Sequence, residues 1–362
     1  MSLVKRIVKV AVCAVLLIVA VCMNTKTQAL AGAGKGTNEK ITTLEAFSAL
    51  IKETGRKQST ARSAPVVESA TGKSYDSFTF IETTSLRSQS DSSQNGDNGS
   101  WSSSSSNSSL NRTLEMYYTE DAVWYKAEGR LVSKSDSSSR AYSSSGFLSA
   151  TTETNTKRSM NFKIQIYAEE EKVLLYIENL QYSYSYKYYD GKNSENNKTE
   201  TEDGQDLDVL KNYYNRWIDC TSMPYIANVF LTVNDTNMAT LSRIGNLLET
   251  AWEAKEYTES NNAYQLKTPV ARQIFGLSNG DDVDFDGTVS VDLSRPAVPS
   301  LLIDASAKNK IVRLGSGYNY SYSGSSYVYL NDNIQFRNIN NTVFKKANMK
   351  AIDISEIIGE EN

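Results

Sequence analysis

Asp282, Asp284, Asp286 and Gly287 follow the D-x-D-x-D-G order of a calcium-binding loop. Thr288 could add a carbonyl ligand and Ser290 a water-mediated one. The closing position of such a loop takes a bidentate Glu, and here it holds Leu293. Val289, Val291 and Leu293 also alternate as a strand does. The expectation is an acidic hairpin turn entering a strand, with weak calcium binding at the three aspartates as the alternative. Gly32-Ala33-Gly34-Lys35-Gly36-Thr37 has a superficial likeness to a phosphate-binding loop. Ala29 stands where the first glycine should be, Gly36 follows the lysine in place of Ser or Thr, and no buried strand precedes the segment. Nucleotide binding is not expected there.

The chain has no histidine, so a Ser-His-Asp triad and imidazole-bound metal sites are excluded. Paired carboxylates and Ser–Lys arrangements stay open, because a linear sequence does not show which side chains meet, and no segment marks a candidate. The chain is therefore read as a non-enzyme with no cofactor beyond weak calcium. Three cysteines occur, at 13, 22 and 220. Cys220 reads as a small buried residue.

Residues 1–31 have the plan of a secretory signal. Lys5, Arg6 and Lys9 precede an apolar run from Val10 to Met23, and Ala29-Leu30-Ala31 is an A-x-A cleavage pattern. Cys22 closes the run where a lipoprotein signal would place its cysteine, but Val21 before it is larger than such a site accepts. Cleavage after Ala31 is the expectation, with lipidation of Cys22 as the alternative. Cleavage leaves Cys220 as the single cysteine, so no intrachain disulfide can form, which fits the exterior of a Gram-positive bacterium. It also removes four of the 38 basic residues and no acidic one, leaving 34 against 42. That acidity disfavours nucleic acid and anionic membrane. The expected location is extracellular, or the outer face of the cytoplasmic membrane.

The stretch from Leu114 to Tyr189 organises the rest. Leu114, Met116 and Tyr118 alternate with polar neighbours, turn near Thr119-Glu120-Asp121, and resume at Val123-Trp124-Tyr125. Met160, Phe162, Ile164 and Ile166 share a face, turn at Glu169-Glu170-Glu171, and return through Val173–Ile177 to Leu180, Tyr182, Tyr184, Tyr186 and Tyr188. This period of two predicts two long β-hairpins. A strand of roughly 16 residues exceeds the usual length and should twist and curve. The tyrosine ladder reads structurally as a face packed on the core, or functionally as the lining of a cavity.

Residues 32–40 form a leader and 41–362 a single domain. A helix is predicted over Ile41–Thr54, with Thr42 and Glu45 at capping-box spacing and Gly55 as its stop. A second covers Met238–Tyr257, where Leu241, Ile244, Leu247, Leu248, Ala251 and Trp252 hold helical spacing. Thr268–Leu277 and Asp353–Ile358 read as short helices, and strands resume from Phe285 to Phe336. Segments 87–111, 133–145 and 190–206 are rich in Ser, Asn, Asp and Gly, and read as disordered loops between strands.

Val289–Pro299 resembles a strand and turn of LolA-like proteins, the lipoprotein-carrier and mycobacterial-lipoprotein type of half-barrel. Ile334–Asn340 and Ala351–Ile358 are similar to the last strand and tail of secreted members, and Tyr117–Tyr125 to an early hairpin. The resemblance implies an α+β, mainly β fold: a curved antiparallel sheet of about eleven strands, a half-barrel with helices covering the concave face. It also implies an apolar small molecule or lipid bound there, and a monomer is expected. Tyr118, Tyr182 and Tyr184 are the candidate lining, with Phe162 and Ile164 beneath and Trp252 on the covering helix. The competing expectation is a surface adhesion or scaffold protein that meets a cell-surface protein or the cell wall through its polar loops. A filled core with an aromatic surface patch would favour the second.

Overall fold

The computed structural model describes residues 39–60, 75–96, 99–119, 122–142, 148–169, 172–202, 211–222, 241–278, 282–314, 321–342 and 350–359. The signal segment and Gly32–Thr37 lie outside them. Five long strands come first: β1 (Ser77–Asn95), β2 (Trp101–Thr119), β3 (Ala122–Tyr142), β4 (Leu148–Glu169) and β5 (Lys172–Asp190). Short strands follow: β6 (Lys198–Glu202), β7 (Trp217–Asp219), β8 (Tyr257–Ser260) and β9 (Ala263–Leu266). The chain then adds β10 (Asp284–Asp292), β11 (Ser300–Leu314), β12 (Ser321–Arg337) and β13 (Ala351–Asp353). Together they make one 13-stranded sheet in the order β13-β7-β5-β4-β3-β2-β1-β12-β11-β10-β9-β8, with β6 on β5. The sheet is curved and open. Its pairs are antiparallel except β13 with β7.

Cross-strand register explains where the core sits. Phe336, Phe80, Met116, Tyr125, Ile166 and Leu175 lie opposite one another in turn across six strands. Six residues along each of β12 and β1–β3, Leu330, Leu86, Leu110 and Leu131 form a parallel row that continues through Met160 and Tyr182. All but Leu86, which is partly buried, belong to the buried core. We call this side the core face and the other the outer face. Each row aligns apolar side chains at the close spacing where cross-strand pairs stabilise a sheet.

The next rows change character. Val328, Ser88, Ser108, Ser133, Arg158 and Tyr184 are followed by Ser326, Ser90, Ser106, Ser135, Thr156 and Tyr186. Here the sequence expectation of disordered loops is corrected: 87–95, 101–111 and 133–142 are strand, as are Lys198–Glu202 within 190–206. Composition argued that these segments bury too little to order themselves. They are ordered as continuations of strands whose apolar halves already fix the register. Hydroxyl pairs then bridge the strands, among them Ser88–Ser108 at 2.7 Å, Ser90–Ser106 at 2.8 Å, Ser92–Ser104 at 2.8 Å and Ser139–Thr152 at 2.7 Å.

Four α-helices are described: α1 (Leu44–Thr60), α2 (Leu241–Ala254), α3 (Thr268–Ile274) and α4 (Ile354–Gly359). α1 is capped by Thr43, whose Oγ1 accepts from the Ala46 N–H at 3.1 Å, one residue later than the capping box suggested. It also runs through Gly55, which was expected to stop it. The glycine serves a close approach instead. A Cβ on Gly55 would meet the Ser242 backbone N of α2 at 2.4 Å, and one on Gly245 would meet the Lys52 N at 2.9 Å. The two helices therefore nest through these glycines, with Lys52 paired to Glu249 across them. α1 reaches the sheet through Phe47, whose ring meets Phe336 edge-on at 6.0 Å.

Candidate functional site

The outer face carries an aromatic patch near the hairpin ends. Tyr117 on β2, Trp124 on β3 and Tyr167 on β4 lie opposite one another in register. One pair further along, Lys126, Gln165, Tyr176 and Trp217 continue from β3 to β7. At about 4.8 Å per strand, the rings from β2 to β7 span about 19 Å. Tyr167 is buried with Ala122 and Leu174 in a small cluster, and Trp124, Trp217 and Ala351 pack against it. Tyr117, Trp124, Tyr176 and Trp217 are half-buried, so each ring is held by neighbours yet keeps an open side.

Polar side chains fix the rings. Trp124 Nε1 donates to Gln165 Oε1 at 3.1 Å, and Gln165 Nε2 donates to Glu178 Oε1 at 2.8 Å. Glu178 also pairs with Lys163 at 2.9 Å. The Lys163 hydrogen bond, aided by Gln165, holds the Glu178 carboxyl below its ordinary range, so it stays an acceptor. Lys126 Nζ lies 4.6 Å from the Trp124 ring and 4.9 Å from the Tyr117 ring, a cation–π bracket. Tyr117 donates to Glu115 at 2.8 Å. Burial, then that carboxylate, pushes the Tyr117 hydroxyl up to about 12. Tyr176 and Trp217 stand 5.0 Å apart between ring centroids.

A β-bulge completes the patch. Lys163 pairs with Asn179 and Ile164 with Ile177, which leaves Glu178 as the extra residue of β5. The bulge places Glu178 on the outer face beside Lys163 and Gln165. It also switches the core-facing parity from Leu175 and Ile177 to Leu180 and Tyr182. Sequence reasoning followed the ladder across this point and missed the switch, although the change from odd to even apolar positions was its signal.

The residues assigned to an acyl groove do share the core face. Tyr118, Phe162, Ile164 and Tyr182 are only 7, 5, 2 and 8% exposed, packed by their own neighbours. Tyr118 stacks on Phe78 at 5.1 Å. Tyr184 is half-buried under Arg158. Trp252 stacks on Tyr257 at 6.0 Å, a partner that sequence reasoning did not foresee.

Asp282, Asp284 and Asp286 are exposed, and the last two lie within β10 opposite Lys308 and Ser306. An extended strand spaces alternate residues about 7 Å apart, so the strand does not wrap them around a common point. No metal-capable cluster occurs among the described residues. Gly287 has a packing role, since a Cβ there would sit 2.4 Å from Ala305 on β11. Cys220 is buried as expected, and burial followed by Asp219 and Asp353 pushes its thiol up to about 12.

A second polar constellation lies inside the core face. Arg112 Nη2 contacts Glu82 Oε2 at 2.5 Å and Thr84 Oγ1 at 3.2 Å, and Thr84 Oγ1 donates to Asp332 Oδ1 at 2.9 Å. The Arg112 side chain is 2% exposed. Burial first, and Glu82 second, drives the Asp332 carboxyl well above its ordinary range, which favours a protonated Asp332. With one proton the cluster is close to neutral, the state a buried site tolerates best. Its enclosure makes it a structural network.

No family model matches the chain, and no curated protein matches it. Among solved structures, the translocator domain of autotransporter NalP from Neisseria meningitidis aligns at 8% identity over 81% of this chain and 98% of that one, with a TM-score of 0.15. A likeness at that score carries no argument about fold or function.

Proposed function

We propose that the chain is an exported, non-enzymatic binding protein of the cell surface. It engages an extracellular polysaccharide through the aromatic patch of the outer face. The observation that supports this reading is the interleaving of Tyr117, Trp124, Tyr176 and Trp217 with Lys126, Gln165 and Glu178. A sugar polymer offers apolar C–H faces and hydroxyl edges. Rings with a large apolar body take the faces, and fixed amide and carboxylate groups take the hydroxyls. An acyl chain would need space where Tyr118, Phe162, Ile164 and Tyr182 already stand, so the outer patch is the better-supported site.

In this reading the sheet is a half-barrel with α1 and α2 over its core face, seated through Phe47. That arrangement closes one side and leaves the other to the partner. Retention of the purified protein on bacterial cell-wall sacculi and on chitin tests the proposal. Trp124→Ala combined with Trp217→Ala is expected to weaken retention tenfold or more, since central aromatic anchors each contribute about 2 kcal/mol. Retention unchanged in a variant that keeps its melting temperature would refute the patch. No retention of the wild type on either matrix would refute the ligand class.

Export rests on the basic n-region, the apolar run and Ala29-Leu30-Ala31. Intact mass of the secreted chain should place its first residue at Gly32. A diacylglycerol adduct on Cys22 would assign the other signal class.

A further inference from the structure

We propose a second binding site on the core face, beyond the buried core, in which Arg158 takes the carboxylate of an acidic sugar. The floor of this site is the hydroxyl half of the sheet. Ser90, Ser104, Ser106, Ser135, Ser137 and Ser326 are exposed there. The outer face of the same strands carries Arg87, Asp91, Lys134, Asp136, Arg140, Glu153, Lys157 and Lys187. On the core face of β1–β5 between Ser88 and Tyr188, Arg158 is the one charged side chain among the described residues. A neutral hydroxylated surface with a single cation at its inner end matches a polyol that carries one anionic group.

Arg158 is prepared for that role. It sits opposite Ser133 and Tyr184 in register, at the step where apolar rows give way to serine. Its guanidinium carbon lies 5.3 Å from the Tyr184 ring centroid, which holds the plane of the fork. Its Nε is buried and has no hydrogen-bond partner. No described carboxylate forms an ion pair with it. β6 continues this face with Lys198, Glu200 and Glu202 at register positions opposite Tyr188, Tyr186 and Tyr184, two strands from β4 and about 10 Å away. A guanidinium presents a planar fork that a carboxylate meets with two parallel hydrogen bonds. Ser133, Thr156 and Tyr186 surround it and can receive the sugar hydroxyls.

The chain as a whole is net −4, so its distant field does not draw in an anion. At physiological salt, charges beyond about 8 Å are largely screened, and the local cation decides. A bare anion lacks the hydroxyls that the serine floor would meet, so a sugar acid is expected to bind better than phosphate.

The test is titration calorimetry of the mature protein with a galacturonic acid oligomer, the matching neutral galactose oligomer and inorganic phosphate. The acidic oligomer is expected to bind at least tenfold more tightly than the neutral one, and binding should weaken as salt is raised. Arg158→Gln should abolish that preference, and Arg158→Lys should restore part of it by keeping the charge without the fork. Equal binding of acidic and neutral oligomers by the wild type would overturn the proposal without any variant. So would an Arg158→Gln protein that folds and keeps the preference. Phosphate binding as tightly as the acidic oligomer would reduce the site to a simple anion site and overturn the sugar assignment. Lys157→Gln, exposed on the outer face of β4 and outside the aromatic patch, should leave all three titrations unchanged, and the outer patch is read separately by retention on chitin, so either site can fail alone.

Discussion

Arg112→Ala is expected to destabilise the fold by about 3–5 kcal/mol, because it leaves two carboxyl groups in the core without their cation. Urea unfolding of the mature protein measures it. Asp332→Asn should act in the opposite sense. Asn keeps an oxygen to accept from Thr84, and its Nδ2 can donate to Glu82. In the wild type the folded Asp332 carboxyl is raised above its unfolded value of about 3.9. The folded state then holds a proton that the unfolded state releases, so this group's contribution falls as pH rises from about 4 toward the folded value. The slope is at most about 1.4 kcal/mol per pH unit. Asp332→Asn lacks that slope, so its stability relative to wild type should grow as pH rises from about 4 toward the folded value. Parallel pH curves for the two proteins would show that Asp332 is ionised in the fold. A loss of less than about 1 kcal/mol in Arg112→Ala would show that water reaches the cluster.

Phe336→Ala is the second large effect, at about 3–5 kcal/mol for a buried phenylalanine removed from a packed core. Its ring meets Phe47, Phe78 and Phe80 at 6.0, 5.8 and 5.4 Å between centroids. The first contact joins α1 to the sheet, and the others lie within it. A double-mutant cycle between Phe47→Ala and Phe336→Ala should show coupling of about 0.5–1.5 kcal/mol. Additive losses would mean that α1 is not seated on this ring, and would count against a helical roof over the core face. Phe336→Leu should lose much less than the alanine, because it keeps most of the volume.

Much of the architecture was legible from local pattern. Alternation placed Phe162 and Ile164 on one face of β4, and Leu114, Met116 and Tyr118 on one face of β2. Helical spacing located α2, and Pro269 near the start of α3 was read correctly. The serine segments were misread because composition reports what a segment can bury alone. It does not report a ladder already anchored in its neighbour. The outer patch was missed for a related reason. Tyr117, Trp124, Tyr176 and Trp217 are scattered over a hundred residues, and each looks like an ordinary polar-face aromatic until register brings them together.

The sequence alone determined the two-faced character of the strands, the apolar stripe of α2, and the exclusion of histidine chemistry, since these depend on residue type and spacing within one segment. The tertiary structure decided everything that depends on which segments meet. It brought Arg112 and Asp332 to either side of Thr84, two residues from Glu82, although they are spread along the chain, because β1 pairs with β2 on one edge and β12 on the other. It turned Gly55 from a helix stop into a helix contact, because α2 packs where a side chain would stand. It left Arg158 above Tyr184 at the edge of the core, because β3 carries hydroxyls across from it and the acidic positions of β6 stand two strands away. Pairing between distant strands sets these outcomes, and no local periodicity encodes it.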